Sequence, residues 1–157
     1  MSTKPIPDGY HSVTPYLIVS DAARAIDFYK EAFDAREEVR MDAPSGKVMH
    51  AEVTIGDSHV MLADEMPDGG YRSPAAIGGT PVSIMLYVED VDGIFDRAVG
   101  AGATVKRPVA DQFYGDRTGT LEDPFGHVWS IATHKEDVSP EETKRRFEAM
   151  MAEPKSA

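Results

Sequence analysis

The residues in this chain best placed to do chemistry are His50 and Glu52, separated by Ala51. Around them, Val48 to Ile55 sets apolar Met49, Ala51, Val53 and Ile55 against polar His50, Glu52 and Thr54, the period of a half-buried strand. An imidazole and a carboxylate two residues apart on a strand project from one face. Imidazole titrates near neutral pH and burial raises a carboxylic acid towards it, so the two are candidate acid–base catalysts. The plainer reading is a hydrogen bond between them or to a neighbouring strand. With His59 or His127 added, three metal ligands would converge. Arg117, in Gly115-Asp116-Arg117, either anchors an anionic ligand or pairs with Asp116 or Asp111 at the surface. Phe113 and Tyr114 either stack on a flat ligand or cover a dimer contact. Trp129 falls on the apolar side of its strand and reads as core. Several chemistries drop out. Gly100-x-Gly102 lacks a third glycine and follows a helix, and neither a phosphate-binding P-loop nor a Gly-x-Ser-x-Gly elbow is present.

The elements that must position these groups follow from pattern. Val13 to Val19 is β-rich, with Pro15 marking an edge or irregular strand. Asp21 caps a helix whose stripe is Ala22, Ala25, Ile26, Tyr29, Ala32 and Phe33. Arg36 to Met41, Val48 to Ile55 and His59 to Ala63 complete a βαβββ order, with Gly56-Asp57 as a hairpin turn. Asp64 to Pro81, holding Gly69, Gly70, Gly78, Gly79, Pro67 and Pro74, reads as a loop. The order then repeats: strand Val82 to Val88, a helix capped by Asp90 with stripe Val91, Ile94, Phe95, Ala98 and Val99, and strands over Thr104 to Val109, Gly115 to Glu122 and His127 to Thr133. Asp123-Pro124-Phe125-Gly126 has the residue preferences of a type I turn. The helix caps and hairpin glycines both recur after about 70 residues, the mark of a duplicated unit. Ser139-Pro140-Glu141-Glu142 begins a C-terminal helix with Phe147, Met150 and Met151 on its apolar side, and Lys144-Arg145-Arg146 reads as a solvated face.

Composition narrows the function. The chain has 157 residues, 41% hydrophobic and 27% charged, with a net charge of −11. That suits one domain with a packed core. An acidic surface repels phosphate backbones and anionic headgroups, so no nucleic acid and no membrane partner is expected. With no Cys there are no disulfides, zinc ribbons or thiol nucleophiles. The first ten residues carry no apolar run, so no signal peptide is read there and a cytoplasmic location is expected.

The order βαβββ–βαβββ, with DAARAIDFYKEAF in the first unit and VEDVDGIFDRAVGAGA and EDPFGHVWSI in the second, resembles the vicinal-oxygen-chelate superfamily. Glyoxalase I, extradiol dioxygenases, and fosfomycin- and bleomycin-resistance proteins belong to it. VMHAEVTIGDSHVMLADE and DRTGTLEDPFGHVWSIATH are similar to its PhnB-like branch. The resemblance implies an α+β fold of paired βαβββ modules, here followed by a C-terminal helix. It places a single domain at 10–135 (module one 10–64, linker 65–80, module two 81–135) and a helix and tail at 136–157. It also implies a homodimer and a small-molecule ligand in the cavity between modules.

In metal-dependent members of that family, His and Glu from the first and last strands of both modules hold the ion. Alignment of the strand–helix junctions and hairpins puts those positions at Thr14, Met61 (with Val60 one residue away), Ser83 and Ser130. None is His, Asp or Glu, so the usual site is absent and no metal or other cofactor is expected. Thr14, Tyr16, Met61, Ser83, Phe113, Arg117 and Ser130 are then candidate ligand contacts. Three functions stay open. The first is a small-molecule binder of the PhnB type without the family metal, which sequesters its ligand or acts on it as an isomerase, epimerase or lyase through His50 and Glu52. The second is a metal-dependent lyase or dioxygenase with His50 and Glu52 in a non-standard site. The third is an interaction or regulatory module with a vestigial cavity.

Overall fold

The computed structural model describes residues 2–154; the last residues of the expected tail, 155–157, lie outside them. In chain order the elements are β1 (Tyr16–Val19), α1 (Ala22–Phe33), β2 (Arg36–Asp42), β3 (Val48–Ile55), β4 (Ser58–Asp64), a 3-10 turn (Pro67–Gly69) and α2 (Pro74–Ile77). They continue with β5 (Ser83–Tyr87), α3 (Val91–Gly100), β6 (Thr104–Asp111), β7 (Asp116–Glu122), β8 (Val128–His134) and α4 (Pro140–Ala152). Each βαβββ unit makes its own four-stranded sheet, ordered β1-β4-β3-β2 and β5-β8-β7-β6. The first strand of each unit pairs parallel with the last, and the other pairs are antiparallel.

The helices form where the caps and stripes place them. Asp21 accepts from the backbone N–H of Arg24, and Asp90 from that of Gly93. The buried face of α1 holds Ala22, Ala25, Ile26, Phe28, Tyr29, Ala32 and Phe33. Each large member is worth about 1.5–3 kcal/mol relative to exposure. Asp34 ends α1 in the left-handed region at φ 55, unusual for a residue with a side chain. Its carboxylate meets Arg97 of α3 at 2.7 Å.

The modules meet through their helix faces. One core cluster runs from Leu17 and Val19 through α1 to Val91, Phe95, Leu121, Trp129 and Ile131. Trp129 lies between Tyr29 and Phe33, at ring-centroid distances of 5.4 and 4.8 Å. Buried Asp123 anchors the junction. Its Oδ1 accepts from the backbone N–H groups of Phe125 and His127, at 2.9 and 3.0 Å. Its Oδ2 accepts from the Tyr29 hydroxyl and the Trp129 indole, at 2.6 and 3.0 Å. The type I turn closes with Gly126 N–H donating to the Asp123 carbonyl.

Some expectations need correction. The first strand begins at Tyr16 and not Val13: Pro15 accepts from Met61 N–H but has no N–H of its own to extend the ladder. The 64–81 segment is not plain loop, because Ser73 caps a one-turn helix started by Pro74. In β3, Met49 is exposed and Val48 buried, since a register irregularity between Met41 and Asp42 turns this end of the strand. Arg146 is not merely solvated. It binds Glu136 and the Phe113 carbonyl and so fastens α4 to the second module.

Candidate functional site

Each sheet keeps its helix face closed and leaves the other face open. On the first sheet, Tyr16 is opposite Met61 and Met61 opposite Glu52, so three neighbouring strands present one row. Val60 is buried on the helix side, whereas Met61 lies on the open face. His50 stands next to Glu52 along the same face. The Tyr16 hydroxyl lies 2.8 Å from His50 Nδ1, and His50 Nε2 lies 3.1 Å from Glu52 Oε1. The other carboxylate oxygen, Oε2, accepts from the Tyr10 hydroxyl.

Charge fixes the proton positions in this chain. The hydrogen bond from Tyr10, with help from His50, holds the Glu52 carboxyl below its usual range, so it is ionised at neutral pH. A carboxylate only accepts, so His50 Nε2 carries the proton. In the neutral ring Nδ1 is then free to accept from Tyr16. The carboxylate raises Tyr10 in turn, and burial raises Tyr16. An imidazole oriented by a carboxylate and touching a phenol can relay a proton to a bound molecule.

The residues before β1 complete this site, a contribution that pattern reading missed. Tyr10 stacks on His59 with centroids 3.9 Å apart and planes 9° apart. Gly9, at φ 83, allows the preceding turn, in which Tyr10 N–H donates to the Pro7 carbonyl. The leader thereby covers a pocket of about 440 Å³ bounded by Thr14, Glu52 and Met61 on the sheet side. The Pro7-Asp8-Gly9 sequence was the available signal, a turn placed just ahead of an aromatic residue.

The second module presents hydroxyls in the matching row. Ser130 is opposite both Met85 and Thr120, and its hydroxyl lies 3.1 Å from that of Thr120. Ser83 is exposed at the start of β5. The structure thus gathers Thr14, Tyr16, His50, Glu52 and Met61 on one open face and puts Ser83 and Ser130 on the other. The two faces do not enclose a common cavity within one chain. The modules join through their helices, no backbone hydrogen bond links β1 to β5, and the pocket over the first sheet is lined by module one and the leader.

Other candidates lie elsewhere. Arg117 points from the opposite face of β7 and forks onto Asp92 at 2.8 and 2.9 Å, with Asp111 at 3.2 Å, because the guanidinium meets two carboxylates on that helix side. Phe113 packs edge-on to Tyr114 and against Phe147 of α4. His127 Nε2 lies 2.9 Å from the Ile18 carbonyl, away from His50 and Glu52. Among the described residues no group of three or more His, Asp or Glu could hold a metal ion. The hydroxyls and thioether of Thr14, Ser83, Ser130 and Met61 are weak neutral donors, and both Glu52 oxygens are engaged within the chain. This donor set does not fit the divalent ion of metal-dependent relatives.

Paired βαβββ modules with open-faced sheets define the glyoxalase-type fold. The family model for the Glyoxalase/Bleomycin resistance protein/Dioxygenase superfamily matches residues 9–131, and the chain belongs to that family. The uncharacterized protein Rv0887c of Mycobacterium tuberculosis is 48% identical over 134 residues, covering 83% of this chain and 79% of that protein. Among solved structures, TioX from Micromonospora sp. ML1 is 30% identical with a TM-score of 0.63, covering 79% of this chain and 98% of its own. The PhnB protein from Bacillus cereus shares the fold at 19% identity and a TM-score of 0.63, over 78% of this chain and 99% of its own. No helix among the described residues is long and apolar enough to cross a membrane.

Proposed function

We propose that this protein binds a small organic molecule on the open face of its first sheet, without the divalent ion that metal-dependent relatives use. One observation carries the reading: the hydrogen-bonded row Tyr16–His50–Glu52–Tyr10 runs into a pocket, lined by its Glu52 and Tyr10 end, in a face that the core does not need. Polar side chains that only stabilised the fold would sit in the module junction, as Asp123 does. A homodimer would complete the cavity by laying the second open face of one copy over the first open face of another. Support for this comes from β1 and β5, which end their sheets, and from Tyr16, Met85 and Tyr87, large side chains left exposed beside those edges.

A second reading, turnover, is favoured by the orientation of His50 between a carboxylate and a phenol. Isomerase, epimerase or lyase chemistry would use His50 as the acid–base group, Glu52 to hold its tautomer and Tyr16 to pass the proton.

The test is a thermal-shift screen of small organic compounds, run with and without chelator, beside sedimentation at micromolar concentration. A native-state ligand raises the melting temperature by mass action. The expected result is a dimer with at least one stabilising compound and a melting temperature indifferent to chelator. One equivalent of bound metal, lost in His50→Ala, would refute the metal-free reading and make His50 a ligand. A library without a single hit would count against binding altogether.

A further inference from the structure

We propose that the leader Pro5–Ser12 is a lid over this site, latched by Tyr10 on Glu52, and that it admits a small organic amine with an apolar body. This deepens the binding reading above and rests on it. Pro5, Ile6 and Pro7 line the pocket together with Met61, so most of its wall is apolar, and six of its nine lining residues belong to the leader. Glu52 is the one carboxylate lining it, and no Lys or Arg lines it. An anion entering there would lose water beside a like charge, whereas an ammonium would gain a charge-assisted hydrogen bond.

The leader is built to open. Among the described residues no backbone hydrogen bond joins residues 5–12 to the sheet; its own turn bonds Tyr10 to Pro7, and Lys4 pairs with Asp8. The side-chain attachment is concentrated in Tyr10, through the hydroxyl on Glu52 and the ring on His59. The Oε2 atom that holds the latch is the atom an incoming amine would seek. Ligand and Tyr10 hydroxyl therefore compete for it, while the ring stack keeps the leader near enough to close over a bound molecule.

The two roles of Tyr10 separate by substitution in the full-length chain. Tyr10→Phe keeps the ring and removes the competitor; Tyr10→Ala removes both. We would titrate phenethylamine, 2-phenylethanol and phenylacetate into the wild type and both variants, reading the Met61 methyl resonance, assigned through Met61→Leu. The expected order is amine tightest and anion weakest. Tyr10→Phe should tighten the amine by roughly threefold to tenfold, the scale of one released hydrogen bond. Tyr10→Ala should weaken it below wild type, because the wall is no longer held. Tyr10→Phe equal to or weaker than wild type overturns the latch, and a preference for phenylacetate overturns the ligand class. Compounds that stabilise the protein yet leave the Met61 methyl unmoved overturn this proposal alone. Failure of every compound in the wider screen removes the binding reading itself.

Discussion

Replacing Tyr29 by Phe removes one oxygen atom at the junction of the two modules, and the structure allows its cost to be worked out. Tyr29 is fully buried and its hydroxyl donates 2.6 Å to Asp123 Oδ2, across 94 residues of sequence. Burial, then the neighbouring carboxylate, pushes the phenol well above its ordinary range, so it stays a donor at all physiological pH. A hydrogen bond to a charged group contributes about 1.5–3 kcal/mol. After the change Asp123 Oδ2 still accepts from Trp129, so the carboxylate is weakened and not orphaned. The expected loss is about 2 kcal/mol, or roughly 4–8 °C in melting temperature for a chain of this size. Asp123→Ala is a poorer test. It strands the N–H groups of Phe125, His127 and Trp129 together with the Tyr29 hydroxyl. At about 1–3 kcal/mol each, that approaches the whole stability of a domain. Urea unfolding of Tyr29→Phe at fixed protein concentration should move the midpoint with an unchanged slope. A loss below about 0.5 kcal/mol would refute the claim that this bond ties the modules together.

Two further outcomes are expected. A methyl group built at Gly119 would lie 2.7 Å from a Phe95 ring carbon and 2.8 Å from a Val109 methyl, so Gly119→Ala should cost about 1–3 kcal/mol in urea unfolding; an unchanged midpoint would show that α3 shifts freely over β7. His134, bound to Asp137 at 2.8 Å and Asp116 at 2.7 Å, is held above the ordinary histidine range. Its contribution to stability should be complete below the unfolded pKa and fade as pH rises through the shifted value. Titration by NMR should place it above a free histidine and move it down in Asp137→Asn, and an ordinary value in the parent chain would refute the bridge.

Local pattern carried the elements and their faces. Asp21 and Asp90 precede apolar stripes at helical spacing, and both cap helices, because a cap needs only its own next three residues. Alternation likewise put His50 and Glu52 on the open face and Trp129 in the core. Partner choice was not legible in this way. Arg117 had two candidate partners in sequence, Asp116 and Asp111; it does reach Asp111, but the carboxylate that takes two of its hydrogen bonds, Asp92, sits on a helix 25 residues away. Tyr10 finds Glu52 across 42 residues, and no periodicity in a Pro-rich leader announces that. Ser130 and Met61 were placed through the duplicated order, which survives in the register; their neighbours Thr120 and Glu52 differ in chemistry all the same.

That last difference bears on how the site works. The two modules use their helix faces alike, since both feed one core, and packing there tolerates little change. Their open faces face no such demand and have diverged: Tyr16, Met61 and Glu52 in one, Met85, Ser130 and Thr120 in the other. The first centres an ionised carboxylate beside an imidazole and a phenol; the second centres hydroxyls and a thioether, and gathers its own phenol, carboxylate and imidazole, Tyr87, Asp116 and His134, at one end of its strands. A cavity closed by two first faces would bring two Glu52 carboxylates together and pay for their repulsion. A cavity closed by one face of each kind would place the hydroxyls opposite the carboxylate, where they could hold the far end of a molecule whose donor group Glu52 had taken. For the dimer proposed above, the unlike pairing of Glu52 with the Ser130–Thr120 row is therefore the arrangement that avoids this repulsion.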